Sequence, residues 1–402
     1  MSKLIPPELA LERVLASLAT SGRVEQLPVA EALGRVLAED QHAGIDVPGW
    51  DNSAMDGYAL RCADAGSADA VLPVSQTIPA GHPGTPLQPG TVARIFTGAP
   101  LPEGADAVVM QEDTELVPGG IRLLERPSPG QNIRLRGHDV RAGTCILRSG
   151  SVLQPQDLGL LASLGIERVP LRQALTVAVL NTGDEVVKPG QPLGPGQLYD
   201  SNSFTLRGLL QRLGLRVVTG DIVADSHQAT VDALRSAAEA ADCIITTGGV
   251  SVGDEDHVRA AVEELGQLEL WKLAIKPGKP FSFGQVGGKP FFGLPGNPVA
   301  VFVTFTLLVR PALLRLMGAS RWQAPRFPVR LGFAVDKAGS RQEYLRVRLV
   351  QTEAETRLEA FADQGSSLLS SLSWADGLAE IPPGRTFQAG DAVMFLPFAG
   401  LY

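Results

Sequence analysis

Cysteine is nearly missing from this chain: Cys62, Cys145 and Cys243 are the only three in 402 residues, far apart and without a C-x-x-C pair. An odd, scattered set argues against a disulfide framework or a zinc cluster and fits a reducing compartment. Basic charge is short as well. With 35 Lys and Arg against 43 Asp and Glu the net charge is -8, which the 5 His do not reverse at neutral pH. A sequence-independent nucleic-acid binder wants a basic surface, so no nucleic-acid partner is expected. Long apolar runs are also lacking. The N-terminus MSKLIPPELALERVLASL carries Glu8 and Glu12 inside its apolar pattern and has no small-residue cleavage site, unlike a signal peptide. The longest uncharged stretch, Pro290 to Val309, is broken by Gly293, Pro295, Gly296, Asn297 and Pro298. What remains falls short of the roughly 20 apolar residues of a membrane span. The expectation is a soluble cytoplasmic protein with no membrane partner.

Glycine and proline, by contrast, are abundant, at 44 and 30 residues. Together they exceed the usual share of roughly 12%, yet 44% of the chain is hydrophobic, so disorder is a poor reading and buried cores are affordable. Because single cores stop growing at about 250–300 residues, two to four domains are expected. No internal repeat or low-complexity tract is evident.

Along the chain, Pro7 to about Ala19 places Leu11, Val14, Leu15 and Leu18 at helical spacing after a proline start. Residues 41–140 hold 13 Gly and 11 Pro around short β-like runs such as VARIF (92–96) and AVVMQ (107–111), which reads as a strand-rich domain with long loops. From Ala174 the texture alternates strand and helix. LTVAVL (175–180) is followed by a helix with Leu206, Leu209, Leu210 and Leu213 that stops at Gly214, then by a helix over Ala229–Ala240. The strand CIITT (243–247) comes next, and after it a helix with Val258, Ala261, Val262 and Leu265. Strands separated by such helices imply right-handed crossovers and a parallel sheet covered on both faces. Beyond Arg321 the helical period is lost, and residues 344–349 alternate polar with apolar, so the tail is expected to be a small β module.

In an open α/β sheet, ligands bind at the carboxyl ends of strands. Three loops qualify: Asn181 to Glu185 (NTGDE), Thr246 to Gly253 (TTGGVSVG) and Leu294 to Pro298 (LPGNP). GGVSVG can turn several N–H groups toward an anion because glycine allows close approach and positive φ, although a flexible turn is the plainer alternative. It is neither G-x-x-x-x-G-K-[ST] nor G-x-G-x-x-G. PGNP also has the makings of a helix start, Asn297 as N-cap and Pro298 next, which is compatible with phosphate binding. In WKLAIKPGKP (271–280), Lys272 and Lys276 would share a strand face and a turn at Pro277-Gly278 would bring Lys279 beside them, a local anion pocket in an acidic protein. Mg2+ commonly takes one or two carboxylates with substrate phosphates; Asp184, Glu185, Asp225, Asp254 and Asp256 are the candidates. Asp225 with Gln228 has capping-box spacing and Asp254 could cap its helix, whereas Glu185 has no helix to cap. In the strand-rich domain, Asp51 to Tyr58 (DNSAMDGY) and Gln131 to Asp139 (QNIRLRGHD) concentrate Asx, Gly, Arg and acid, but such density often only makes turns. No side chain reads as a covalent nucleophile.

Taken together the motifs resemble a known family. DVPGWDNSAMDGYA (46–59), FTGAPLPEGADAVVMQE (96–112), NTGDE (181–185), TTGGVSVGDED (246–256), WKLAIKPGKP (271–280), GLPGNP (293–298) and DQGSSLLSS (363–371) run in order through nearly the whole chain. They are similar to those of the molybdopterin molybdenumtransferases, the MoeA type that also forms the E domain of gephyrin. The resemblance implies a multidomain α/β and β fold forming an elongated homodimer. Its parts would be a discontinuous linking domain (1–41 and 140–172), a strand-rich insertion (42–139), a three-layer α/β domain with a parallel-rich sheet (173–323) and a C-terminal β-barrel (324–402). The implied reaction inserts molybdate into the dithiolene of adenylylated molybdopterin and releases AMP with Mg2+, in a pocket between the α/β domain of one subunit and the insertion of the other.

By the same resemblance Gly248, Gly249, Ser251, Pro295, Gly296, Asn297 and Pro298 would cradle phosphates, and Glu185, Asp225 and Asp256 would serve Mg2+ and the adenylate. Lys272, Lys276, Lys279, Arg346 and Ser366 would hold oxyanions, while Asp56, Thr97, Arg134 and Asp139 would act from the insertion. Ala300 stands where the family often has Ser, and His138 replaces a common acid. Implied partners are a molybdopterin adenylyltransferase upstream and molybdoenzyme-side acceptors downstream. The competing readings are the adenylyltransferase reaction itself and a non-catalytic scaffold of the gephyrin type.

Overall fold

A computed structural model describes residues 4–66, 71–248, 257–353 and 355–401. The chain opens with the helix Pro7–Ser17, started by proline at its first turn, and buries Ala10 and Val14. That face packs into the main core with Leu313 and Leu316 of a distant helix. Residues 24–28 then pair antiparallel with 168–172, and 41–42 with 145–147. These pairings, with the capping-box helix Pro155–Ser163, gather Val29, Leu37, Leu153, Leu161 and Leu171 into one cluster, so two distant stretches of sequence share a core.

Between them lies the strand-rich region. A four-stranded sheet is ordered 74–78, 92–95, 57–60, 107–110, and a three-stranded one joins 71–72, 120–123 and 114–117. Both runs singled out in the sequence, 92–96 and 107–111, begin as strands. Gly57 must be glycine, since a Cβ there would lie 1.9 Å from the Val109 carbonyl oxygen.

The α/β region has a six-stranded sheet in the order 216–219, 176–181, 243–247, 289–294, 280–286, 266–272. Its first four strands are parallel, as the alternation of strands and helices requires. Strand 280–286 runs the other way, antiparallel to both its neighbours, and beside 289–294 it must, because only Gly287 and Gly288, at φ 56° and 75°, separate the two. Two residues at positive φ make a tight hairpin and leave no room for the crossover that a parallel pair needs. One sheet face packs on the core containing Val177, Phe292 and Phe305, the other on Leu234, Val258 and Val262 of the covering helices. Gly214 ends its helix at φ 73°, the left-handed conformation that glycine supplies at a C-terminus.

The apolar stretch after Pro298 proves longer than the sequence suggests. Pro298–Leu316 forms one helical run, with a π-helical turn at Phe305–Val309, and is long and apolar enough to cross a membrane; yet 89% of its apolar window is buried inside the fold. Arg310 does not end it. Its guanidinium donates to the carbonyls of Leu401 (2.6 Å) and Trp322 (2.9 Å), so the charge is carried into the core with partners. The tail closes a five-stranded β-barrel: 342–351 pairs with both 356–360 and 377–381, while 327–331 and 392–397 complete the ring. Residues 275–276 add to its edge through 342–343.

Candidate active site

The carboxyl ends of the strands 176–181, 243–247 and 289–294 converge on a cleft made of two adjoining cavities. They share Gly248, Gly296 and Asn297, so one turn forms the saddle between them. Gly248 sits at φ 88°, and a Cβ there would come within 3.2 Å of the Thr182 carbonyl oxygen. Glycine is thus required where two loops close on each other.

The first cavity, about 480 Å³, is cationic: Lys276, Lys279 and Arg341 line it together with Pro295, Ala300, Gln364 and Ser366, and among the described residues no carboxylate does. Gly278, at φ 102°, seats the lysine turn on the long helix, where any Cβ would lie 2.6 Å from the Thr304 hydroxyl. The barrel loop 363–371 docks on the PGNP turn. Val299 N–H donates to the Ser366 carbonyl (3.1 Å), and Asn297 Nδ2 donates to the Ser366 hydroxyl (3.1 Å). Asn297 does occupy the N-cap position before Pro298, but its side chain makes no cap. The first helical residue, Pro298, has no N–H to satisfy, and the next N–H, that of Val299, is taken by the Ser366 carbonyl, so the barrel loop rather than a side-chain cap closes this helix start.

The second cavity, about 530 Å³, is acidic: Glu185 and Asp200 line it and, among the described residues, no lysine or arginine does. At its floor the Thr247 hydroxyl donates to Asn181 Oδ1, and Asn181 Nδ2 donates to Asp200 Oδ1 (2.5 Å). Asp200, 8% exposed, also accepts the Ser203 N–H (3.0 Å). This polar chain locks the ends of two neighbouring strands to the start of the helix Asn202–Arg212. Asn202 Nδ2 donates to the Gly296 carbonyl (2.8 Å), leaving its buried Oδ1 without a protein partner. The Glu185 carboxylate folds over Gly183, whose absent Cβ would lie 2.6 Å from Oε2.

Several expected residues are placed otherwise. Lys272 and Lys276 do not share a strand face. The strand ends at Lys272, Leu273 N–H turns to the Lys279 carbonyl (2.7 Å) and Ala274 N–H to that of Ile5 (2.7 Å), and Lys276 joins the barrel sheet. Lys272 lines neither cavity. Arg346, expected to hold an oxyanion, is 1% exposed and lines neither cavity; Nη2 donates to the Gly365 carbonyl (2.8 Å) and Nε to the Ser371 hydroxyl (3.0 Å), so it shapes the loop that carries Ser366. Burial lowers its pKa from the ordinary value.

Asp225 is not the helix cap. Ser226 is, accepting from Ala229 N–H, while Asp225 N–H donates to Asp184 Oδ1 (3.2 Å) outside both cavities. Among the described residues no group of three His, Cys, Asp or Glu could hold a metal ion. Gly249, Ser251, Asp254 and Asp256 lie outside the described residues.

In the strand-rich region the two motif segments meet each other. Residues 133–134 pair with 52–53, and Arg136 N–H donates to Asp51 Oδ1 (2.7 Å) while its Nε meets Asp46 Oδ2 (2.5 Å). Arg134, His138 and Asp139 stay exposed. Asp56 Oδ1 accepts both the N–H (2.7 Å) and the hydroxyl (2.8 Å) of Thr97, and these bonds hold its carboxyl below the usual carboxylate range. None of the described residues of 42–139 lines either cavity. Asp200, Asn202, Arg341 and Gln364 were missed in the sequence. Asp-Ser-Asn before a helix signals capping, which Asp200 does perform, but no local pattern marks Arg341, a barrel residue, as belonging to the cleft.

The chain matches three family models in succession: the MoeA N-terminal region (domain I and II) over residues 5–165, the probable molybdopterin binding domain over 178–315, and the MoeA C-terminal region (domain IV) over 328–398. It is 41% identical to a molybdopterin molybdenumtransferase of Haemophilus influenzae over 97% of both chains. The chain belongs to the molybdopterin molybdenumtransferase family. A Nostoc relative of the same name is 38% identical, covering 91% of this chain and 86% of its own. The crystal structure of a molybdopterin biosynthesis MoeA protein from Pyrococcus horikoshii superposes with a TM-score of 0.84 at 30% identity, over 98% of this chain and all of that one. Membership makes the protein a transferase of molybdenum cofactor biosynthesis.

Proposed function

We propose that the two-lobed cleft inserts molybdate into the dithiolene of adenylylated molybdopterin and releases AMP. The observation that carries this is the opposition of charge, among the described residues, about one shared turn: three cations on one side and two carboxylates on the other. A substrate with a phosphate and an incoming tetrahedral oxyanion needs fixed cations at one end. Lys276, Lys279 and Arg341 hold the oxyanion end, and Ser366, kept in place by Asn297, adds a hydroxyl. The adenylate lies in the acidic lobe, where Asn181, Asp200 and Asn202 offer polar groups to its sugar and phosphate.

Mg2+ fits the donor set of the acidic lobe. Glu185 makes no side-chain hydrogen bond or ion pair among the described residues, and Asn202, a residue of the same cavity wall, has a buried Oδ1 without a hydrogen-bond partner. One carboxylate plus a neutral oxygen and substrate phosphate is the hard-oxygen environment that Mg2+ accepts. The ion would supply positive charge against the developing negative charge on the departing AMP. Molybdate-dependent AMP release from adenylylated molybdopterin tests the reading. Consumption of ATP with molybdopterin, without that release, would assign the adenylyltransferase step instead; neither activity would leave the scaffold.

The site is completed by a second copy of the chain. Asp56 and Thr97 form a preset pair that lines neither cavity of its own subunit, which supports a homodimer that lends the pair across. Mixing Asp56→Asn with Glu185→Gln protein should restore part of the activity that each lacks. No restoration would place the whole site within one chain. On this reading the substrate comes from a molybdopterin adenylyltransferase, the product passes to molybdoenzyme-side acceptors, and the scarce free thiols suit the cytoplasm.

A further inference from the structure

The cationic lobe contains a counter-charge that the substrate must displace. Lys276 Nζ lies 3.1 Å from Glu343 Oε1. The contact is dictated by the backbone, because Lys276 and Glu343 are register partners where the lysine turn adds to the barrel strand 342–351. The junction is clamped on either side. Arg341 Nη1 donates to the Ile275 carbonyl (3.0 Å) and Gln342 N–H to the Ala274 carbonyl (2.9 Å). Gly339 leaves room for the carboxylate, since a Cβ there would sit 2.9 Å from Glu343 Oε1.

The two side chains differ in exposure: that of Lys276 is 49% exposed and lines the cavity, whereas that of Glu343 is 21% exposed and does not. A half-exposed ion pair contributes little net free energy, so an arriving dianion can draw the ammonium away from it. We infer that Glu343 is a positioning residue that sets the strength of the oxyanion lobe by competing with the bound anion for Lys276. With Glu343 in place, the three cations of the lobe act as about two, and the anion is held loosely enough to be passed on; without its charge the lobe grips harder. The inference rests on the oxyanion reading of this cavity.

The experiment titrates molybdate calorimetrically into the full-length chain and its variants at low and high salt. Glu343→Gln keeps an acceptor for Lys276 and removes the charge, so molybdate should bind about three- to tenfold more tightly, an advantage that shrinks as salt rises. In turnover its KM for molybdate should fall while kcat does not rise. In a Lys276→Met background, where no ammonium remains to be shared, Glu343→Gln should change affinity by less than about twofold. Molybdate bound by the parent and weakened by Lys279→Ala, but bound equally or less well by Glu343→Gln, overturns the inference and spares the lobe. A full effect of Glu343→Gln without Lys276 also overturns it, since the carboxylate would then act directly on the anion. No molybdate binding by the folded parent protein overturns the lobe assignment and this inference together.

Discussion

The two lobes of the cleft meet at one turn yet are built differently. Among the described residues the acidic lobe is almost wholly the work of the α/β region: Asn181 and Thr247 end neighbouring strands, Asp200 accepts from the first turn of a helix, and only Ser367 and Leu369 come from the barrel region. The cationic lobe is a joint product, with Lys276 and Lys279 on a turn leaving the sheet and Arg341, Gln364, Gly365 and Ser366 supplied by the barrel. An acidic lobe anchored on strand ends is stiff and suits a fixed donor geometry. A cationic lobe held between two regions can have its charge set from outside, the role inferred above for Glu343 in its contact with Lys276.

The sharpest way to break this comparison is Glu185→Gln, which removes the unpaired carboxylate of the acidic lobe. We expect turnover to fall about a hundredfold or more with molybdate binding at the cationic lobe little changed; an equal loss of both would mean that the lobes are one site. Next, Lys279→Ala should weaken molybdate binding about tenfold, or ~1.4 kcal/mol, an effect that fades with salt and spares stability in denaturant unfolding.

Asp200→Ala should act the other way. It strips Asn181 Nδ2 and the Ser203 N–H of their acceptor, and leaving buried donors unpaired should lower unfolding stability by about 1–3 kcal/mol. The smallest effect is expected at the preset pair outside both lobes. Thr97→Val removes one of the two bonds that depress the Asp56 pKa, so the carboxyl should titrate nearer its ordinary range in a carbon-detected NMR titration. The sign follows from the direction of the shift. Whatever the Thr97 bonds contribute is complete above the ordinary carboxylate pKa and is lost as pH falls through the depressed native value, so the variant should forfeit it at higher pH.

Much of this was legible in the chain itself, and the parts that were not share a cause. The strands 92–95, 107–110, 176–181 and 243–247 and the helices ended by Gly214 and Gly266 follow from apolar period and turn chemistry, which are local. Two strand-end loops, 181–185 and 294–298, were legible as lining a cleft, since ligand sites form where parallel strands stop, while most of the third lies outside the described residues. Local reasoning failed at crossings between sheets. Lys272 and Lys276 were read as one strand, but the chain leaves the sheet after Lys272 for the barrel edge. It failed also at long-range hydrogen bonds: Arg346 is spent on Gly365 and Ser371, and the Asp225 cap yields to its neighbour Ser226.

The amino-acid order alone therefore determined the kind of chemistry: few thiols, an acidic surface, glycine-rich turns at strand ends, and a lysine-bearing turn in their midst. It did so because composition and short-range periodicity are properties of neighbours in sequence. Tertiary structure alone decided which charges share a cavity. Lys276 and Glu343 are 67 positions apart, and Asn297 and Ser366 are 69 apart. No local preference can register two side chains that meet only once the barrel has docked against the sheet.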